Sequence, residues 1–218
     1  MVFEGIGRHF WRAAISSKNL KEFTDSLDII KLRVKDLINT KKLITLSLFQ
    51  WEQHVLLYYE TIDNDILPEM IITEASESLE SWPGEKTPRK WIPLVDVFHF
   101  NEPHGLEYWR RKSPIENRIG QIGILKPDRV PYYLFYHYAL QEGQVFRGDK
   151  YEIIGLSENL LFAYREHPEV IEMPLNAATV SKKIVPENWA DVGIPECFVS
   201  WPDLPGVRLR PMNVLFTL

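Results

Sequence analysis

Lys126–Glu166 reads KPDRVPYYLFYHYALQEGQVFRGDKYEIIGLSENLLFAYRE, and the reading of this stretch decides the fold. Pro127 suits the first turn of a helix, where a missing backbone donor costs nothing. From Asp128 the pattern is helical through about Gln141, which puts Tyr133 and His137 four apart on one face, an acid–base pair by type. Tyr151, Ile153 and Gly155 then alternate on one face of a strand. Leu160, Phe162, Tyr164 and Glu166 alternate on the next. A helix packed on such a sheet would aim His137 and Tyr133 near Tyr151.

Working outward, the same order of elements occurs twice. Arg118–Lys126 reads as a strand, followed by the helix and the strand pair Lys150–Leu156 and Asn159–Glu166. Pro168 to about Val192 is interrupted by Pro174 and Pro186 and is expected to hold a helix, and Leu209–Leu218 is a last strand. In the first half Arg8–Ile15 reads as a strand. Asn19 precedes a helix in which Leu20, Phe23, Leu27, Ile30, Val34 and Leu37 recur at three- and four-residue spacing. Leu43–Gln50 and His54–Ile62 form a strand pair around a polar turn. The Glu-rich run after Pro68 is expected to be a solvated helix ending at Trp82-Pro83-Gly84, and Ile92–Phe100 a closing strand.

The halves also match in letters. Ser81-Trp82-Pro83 is echoed by Ser200-Trp201-Pro202, and WIPLVDVFHF ending at Phe100 by LRPMNVLFTL ending at Leu218. Leu56-Leu57-Tyr58-Tyr59-Glu60 is echoed by Phe162-Ala163-Tyr164-Arg165-Glu166. The expected class is therefore α+β, with two ferredoxin-like βαββαβ repeats (1–100 and 118–218, linker 101–117) packed sheet to sheet as an intrachain pseudo-dimeric α/β barrel.

Composition narrows the function classes. The 218 residues are 45% hydrophobic and 12% aromatic, ample for a core, and carry a net charge of −5. Arg110-Arg111-Lys112 is too short a basic run for a nucleic-acid surface. Cys197, the single cysteine, allows no internal disulfide and no CxxC site. No segment approaches 18 apolar residues in a row, and the N-terminus lacks the apolar core of a signal peptide, so a cytoplasmic protein without membrane contact is expected. His99 and His104, with Glu102 between them, lack a third ligand at metal spacing, so no metal is expected.

The segment RIGQIGILKPDRVPYYLFYH, with DKYEIIGLSENLLFAYRE and the closing MNVLFTL, resembles the L-rhamnose mutarotase family. The resemblance implies ferredoxin-like subunits paired through their sheets and interconversion of the anomers of a small sugar without a cofactor. It implies His137 as the proton donor, Tyr133 as a substrate-contacting catalytic partner and Tyr151 as a substrate-binding residue. Imidazole fits such a role because it exchanges protons near neutral pH. The family's pair of adjacent tryptophans is absent, and Trp189 or Trp201 would stand in. In the first half Leu27, Phe23 and Thr45 occupy the corresponding positions, so at most one site survives.

Other readings stay open. With Tyr132, Tyr133, Phe135, Tyr136 and Tyr138 on the same helix, His137 is equally a hydrogen-bonded residue of an aromatic core. A different cofactor-free small-molecule enzyme, a non-catalytic sugar-binding or structural protein, and a homodimer all remain compatible with the sequence.

Overall fold

Phe23, Leu27, Ile30 and Val34 are buried against a sheet, as their spacing requires, and the helix that carries them runs without interruption over Leu20–Asn39. The computed structural model describes residues 5–62, 66–84, 86–143, 147–175 and 189–218. In chain order the elements are β1 (Ile6–Ala14), α1 (Leu20–Asn39), β2 (Leu43–Trp51), β3 (His54–Ile62), α2 (Pro68–Ile71), β4 (Ile92–Pro93), β5 (Val95–His99), α3 (Leu106–Trp109) and β6 (Asn117–Ile124). There follow α4 (Val130–Glu142), β7 (Gly148–Asp149), β8 (Ile153–Ser157), β9 (Leu160–His167), β10 (Ile171–Glu172), β11 (Arg210–Pro211) and β12 (Asn213–Thr217).

The chain forms two compact units. Unit 1 comprises Met1–Leu94, Pro103–Lys112 and Met212–Leu218, and unit 2 comprises Val95–Glu102 and Ser113–Pro211. The large sheets have the orders β12-β2-β3-β1-β4 and β11-β6-β9-β8-β5. Each therefore has a four-stranded part in the ferredoxin-like order, plus a fifth strand from the other half of the sequence. Every strand pairing among the described residues is antiparallel, so the class is α+β.

The closing strands are where sequence and structure part. Ile92–Phe100 and Leu209–Leu218 each read as one strand, but each divides after its proline. Ile92–Pro93 pairs with β1 in unit 1, whereas Val95–His99 pairs with β8 in unit 2. Arg210–Pro211 pairs with β6 in unit 2, whereas Asn213–Thr217 pairs with β2 in unit 1. A proline cannot donate to a ladder, which makes it a natural place for a strand to change partners. The compact units accordingly do not follow the divisions at residues 100 and 118.

Three further segments differ. The linker 101–117 contains α3, and its Trp109 is fully buried in unit 1. The Glu-rich run forms only the four-residue α2 and a 3₁₀ turn, Ser76–Ser78, because its apolar residues Ile71, Ile72, Ala75 and Leu79 anchor an irregular path in the core. Of the helix expected between Pro168 and Val192, residues 176–188 lie outside the described residues. The flanking described parts are β10 and the 3₁₀ turn Trp189–Val192.

In unit 1, Val55, Leu57 and Tyr59 of β3 join the core under α1, so the alternate residues Leu56, Tyr58 and Glu60 line the opposite face. There Glu60, fully buried, accepts hydrogen bonds from both terminal nitrogens of Arg111, one at 2.8 Å, and from the Tyr58 hydroxyl at 2.5 Å. Arg8 Nε donates to the Tyr58 oxygen at 3.0 Å. Unit 2 repeats the theme, with Tyr164 donating to Glu166 at 2.7 Å and Arg118 lying 4.0 Å from that carboxylate.

Candidate functional site on unit 2

Helix α4 starts where Pro127–Arg129 make one 3₁₀ turn, and Pro131 occupies its first turn, where no backbone donor is needed. It presents Tyr133, His137 and Ala139 as its buried residues, and Tyr133 belongs to the core with Leu161 and Ala163 of β9. The four-residue spacing thus brings Tyr133 and His137 together. Their rings stack with centroids 3.8 Å apart, and Phe98 of β5 meets the imidazole edge-on at 6.3 Å. Phe98 escapes a sequence reading because β5 reads as part of the first repeat.

The backbone sets the state of His137. Its Nδ1 lies 2.9 Å from the Tyr133 carbonyl, which can only accept, so Nδ1 carries the proton and the lone pair of the neutral ring is on Nε2. Burial pushes the His137 pKa down to about 4, against the opposing effect of that hydrogen bond. The ring is neutral at physiological pH. As pH falls through 6.5 the unfolded chain takes up a proton that the folded chain refuses until about 4, so stability declines across that window and levels off below it. The expected loss is about 3 kcal/mol. Urea midpoints between pH 7 and 4 should show it in the wild type and a flatter profile in His137→Gln; equal profiles would exclude a neutral buried imidazole.

Two ionisable groups, Cys197 and Glu152, act on Tyr133. Burial raises its pKa, and Cys197 and Glu152 add to the effect. Glu152 is itself raised by burial, with Asp149 and Glu169 adding repulsion and Arg165, at 3.6 Å, opposing. Asp149 is raised by burial although its Oδ1 accepts from the amides of Tyr151 and Val170. Cys197 is raised by burial as well. Such a concentration of shifted groups is a recognised mark of functional sites. Glu152 and Arg165 were legible only as ordinary strand charges in the sequence, since nothing there shows that the two pair or that Glu152 acts on Tyr133.

The remaining sequence-predicted residues are placed differently. Tyr151 is buried, but it lies in the turn before β8 rather than in the alternating strand, with the Lys150 ammonium 5.9 Å from its ring centroid. Trp201 sits in a loop of its own, where its indole nitrogen donates to the Arg208 carbonyl at 3.2 Å and the Arg210 guanidinium lies over its ring. Trp189 opens a 3₁₀ turn, and its side chain is outside the described residues. His99 is held by Asp96 at 2.7 Å and Glu102 at 3.1 Å, and among the described residues no group of three or more His, Cys, Asp or Glu is arranged to hold a metal ion. No helix among the described residues is long and apolar enough to cross a membrane.

No family model and no curated protein matches the chain. Among solved structures it is similar to a putative monooxygenase from Fusobacterium nucleatum subsp. nucleatum, with 9% identity, 100% of this chain and 95% of the other covered, and a TM-score of 0.40. It is similar to a putative monooxygenase from Lactobacillus acidophilus, with 7% identity, coverage of 98% and 96%, and a score of 0.38. It is also similar to an anthrone oxidase-like protein, with 10% identity, coverage of 98% and 96%, and a score of 0.36. Identities and scores of this size transfer no activity.

The rhamnose-mutarotase resemblance, and with it the sugar substrate and the anomer chemistry, is corrected: no family model matches the chain, and the similar solved structures bear other names. The physical reason lies in the motif. A proline start, a tyrosine and a histidine one turn later are what a helix needs to stack two rings on a sheet, and that requirement is not particular to one family.

Proposed function

We propose that unit 2 carries an acid–base site for a small aromatic molecule, set at the face of its sheet that α4 covers. The observation that supports it most is the neutral His137 stacked on Tyr133, whose hydroxyl feels the Glu152 carboxylate. In this reading Glu152, held to Arg165 and one quarter exposed, takes a proton from a weakly acidic hydroxyl or carbon of the substrate. Tyr133 donates a hydrogen bond to the oxygen on which charge develops, and His137 fixes the plane of the Tyr133 ring and offers its own polar edge. Tyr151, Trp189 and Trp201 remain candidate contact residues, and no bound cofactor is called for. Closure of the two repeats into a sheet-to-sheet pseudo-dimeric barrel belongs to the same proposal, supported by the reciprocal exchange of β5 and β12.

The test is proton–deuterium exchange, followed by NMR, over a panel of phenols and aromatic ketones. Wild-type protein should accelerate exchange for at least one compound. Glu152→Gln should lower that acceleration about 100-fold, in the range of a lost general base. Acceleration unchanged by Glu152→Gln, or absent for every compound, would defeat the reading. A second reading, binding without turnover, is favoured by the packing of the imidazole between Tyr133 and Phe98; saturable binding without exchange would support it.

A further inference from the structure

Asp149 of unit 2 is held by one of its carboxyl oxygens and not by the other. It ends the two-residue strand β7, which pairs with β10 through Asp149 opposite Ile171 and Gly148 opposite Glu172. A Cβ at Gly148 would lie 2.3 Å from the Phe100 ring, so β7 packs directly against that ring. Asp149 closes the joint with its side chain. Its Oδ1 accepts from the amides of Tyr151 at 3.4 Å and Val170 at 3.3 Å, while the Lys150 amide donates to the Val170 carbonyl at 2.9 Å. One oxygen thus ties the start of β10 to the turn that carries Tyr151 and Glu152. In that turn the Glu152 amide donates to the Asp149 carbonyl at 3.3 Å.

The second oxygen is enclosed. Asp149 is 7% exposed, and among the described residues its Oδ2 meets no hydrogen-bond donor. The cations around this joint serve other groups. Lys150 is ion-paired with Glu172 at 3.1 Å, Arg165 with Glu152 at 3.6 Å, and Arg118 lies 4.0 Å from Glu166. Arg147 donates to the Ile171 carbonyl at 3.2 Å. The charges that do act on Asp149 are carboxylates: Glu169 beside Val170, Glu166 of β9 and Glu152 at the other end of the turn. An ionised Oδ2 is a buried anion facing like charge without a donor, an arrangement that protonation relieves. An atom closed off from solvent admits no larger cation, so the ligand that fits it is a proton.

We propose that Asp149 is a proton-operated latch: with its proton it holds β7 and β10 closed on the turn 149–152, and without it the joint loosens and frees the segment that carries Tyr151 and Glu152. Burial, with Glu169 and Glu166, raises the proton affinity of the carboxyl against the two amides, which favour its ionised form. The unfolded chain releases this proton near 3.8 and the folded chain only at higher pH. The latch is therefore at full strength below 3.8 and weakens as pH rises through the folded value, opposite in sign to His137. It rests on the joint itself and holds whether or not Glu152 acts as a base.

Because the two groups oppose each other in global stability, the test reads the joint locally, by NMR of the intact chain between pH 3 and pH 7. The side-chain carboxyl carbon of Asp149 should titrate above 3.8. As it does, amide exchange at Tyr151 and Val170, corrected for intrinsic base catalysis, should lose protection about tenfold, the scale of one buried polar group left without a partner. Asp149→Asn keeps the shape and the accepting oxygen but cannot ionise, and should make that protection independent of pH. Asp149→Ala removes the acceptor and should lower protection at every pH, with the amides of β6 unchanged. Titration at or below 3.8, protection that ignores the titration, or the wild-type pH dependence in Asp149→Asn would overturn the proposal.

Discussion

Deletion of Met212–Leu218 is expected to destabilise the unit built chiefly from the opposite end of the chain. The deleted residues include β12, which supplies the strand beside β2, and Phe216, which is buried in the core under α1. Leu218 exchanges backbone hydrogen bonds with Leu46 at 2.9 and 3.1 Å, and its carbonyl accepts from the Thr45 hydroxyl at 2.6 Å. Removal leaves β2 as the bare edge of the sheet and opens a cavity in the cluster that holds Leu46 and Leu48. Phe216→Ala alone should cost about 3 kcal/mol, as large-to-small core changes do. Hydrogen exchange read by mass spectrometry would locate the damage. Loss of protection over residues 20–62 with retention over 117–167 is the expected pattern; the reverse would show that β12 completes the other sheet.

The second large effect should come from Glu60. A fully buried carboxylate is tolerated here because Arg111 grips it with two nitrogens and Tyr58 adds a third donor. Burial alone would raise its pKa, but the charge and hydrogen bonds of Arg111, with Tyr58, outweigh that and hold it below the usual carboxylate value. Glu60→Ala leaves Arg111 and the Tyr58 hydroxyl without their common acceptor and should cost about 3–5 kcal/mol. Glu60→Met with Arg111→Met should cost much less, because neither charge then stays buried alone. The depressed pKa also fixes a sign. The unfolded chain protonates Glu60 near 4.5 and the folded chain only below that, so this contribution is present above pH 4.5 and drains away as pH falls further. Denaturation midpoints of the three proteins at pH 7 and pH 4 would check both statements; a double variant as unstable as Glu60→Ala would refute the pairing argument.

Local elements were largely legible from the sequence. The apolar spacing from Leu20 to Leu37 marks α1, and β3 spans His54–Ile62 as its residues suggest. The echo of Leu56–Glu60 in Phe162–Glu166 proved to be structural, since both segments place a tyrosine donating to a glutamate two residues on. Partner choice was illegible. Alternation tells which side of a strand is buried, but nothing in WIPLVDVFHF says that its two ends join different sheets. The same blindness hid the role of 101–117, where Trp109 and Arg111 look like surface residues until Glu60 is placed beside them. At the candidate site the Tyr133–His137 stack follows from helix periodicity. The Glu152–Arg165 pair depends on how the residue before β8 meets one in β9, and that is tertiary information.

The exchanged strands impose an order on how the chain is made. As the polypeptide leaves the ribosome, β1, α1, β2 and β3 are available early, while the strand that seals β2 is encoded some 160 residues later. Until residues 213–217 emerge, the nascent first half presents β2 as an open edge with its apolar face half covered. Such an edge is a template for pairing with a neighbouring chain. Maturation of unit 1 thus waits for residues 213–217, and the interval before they emerge is when chaperone protection would matter most.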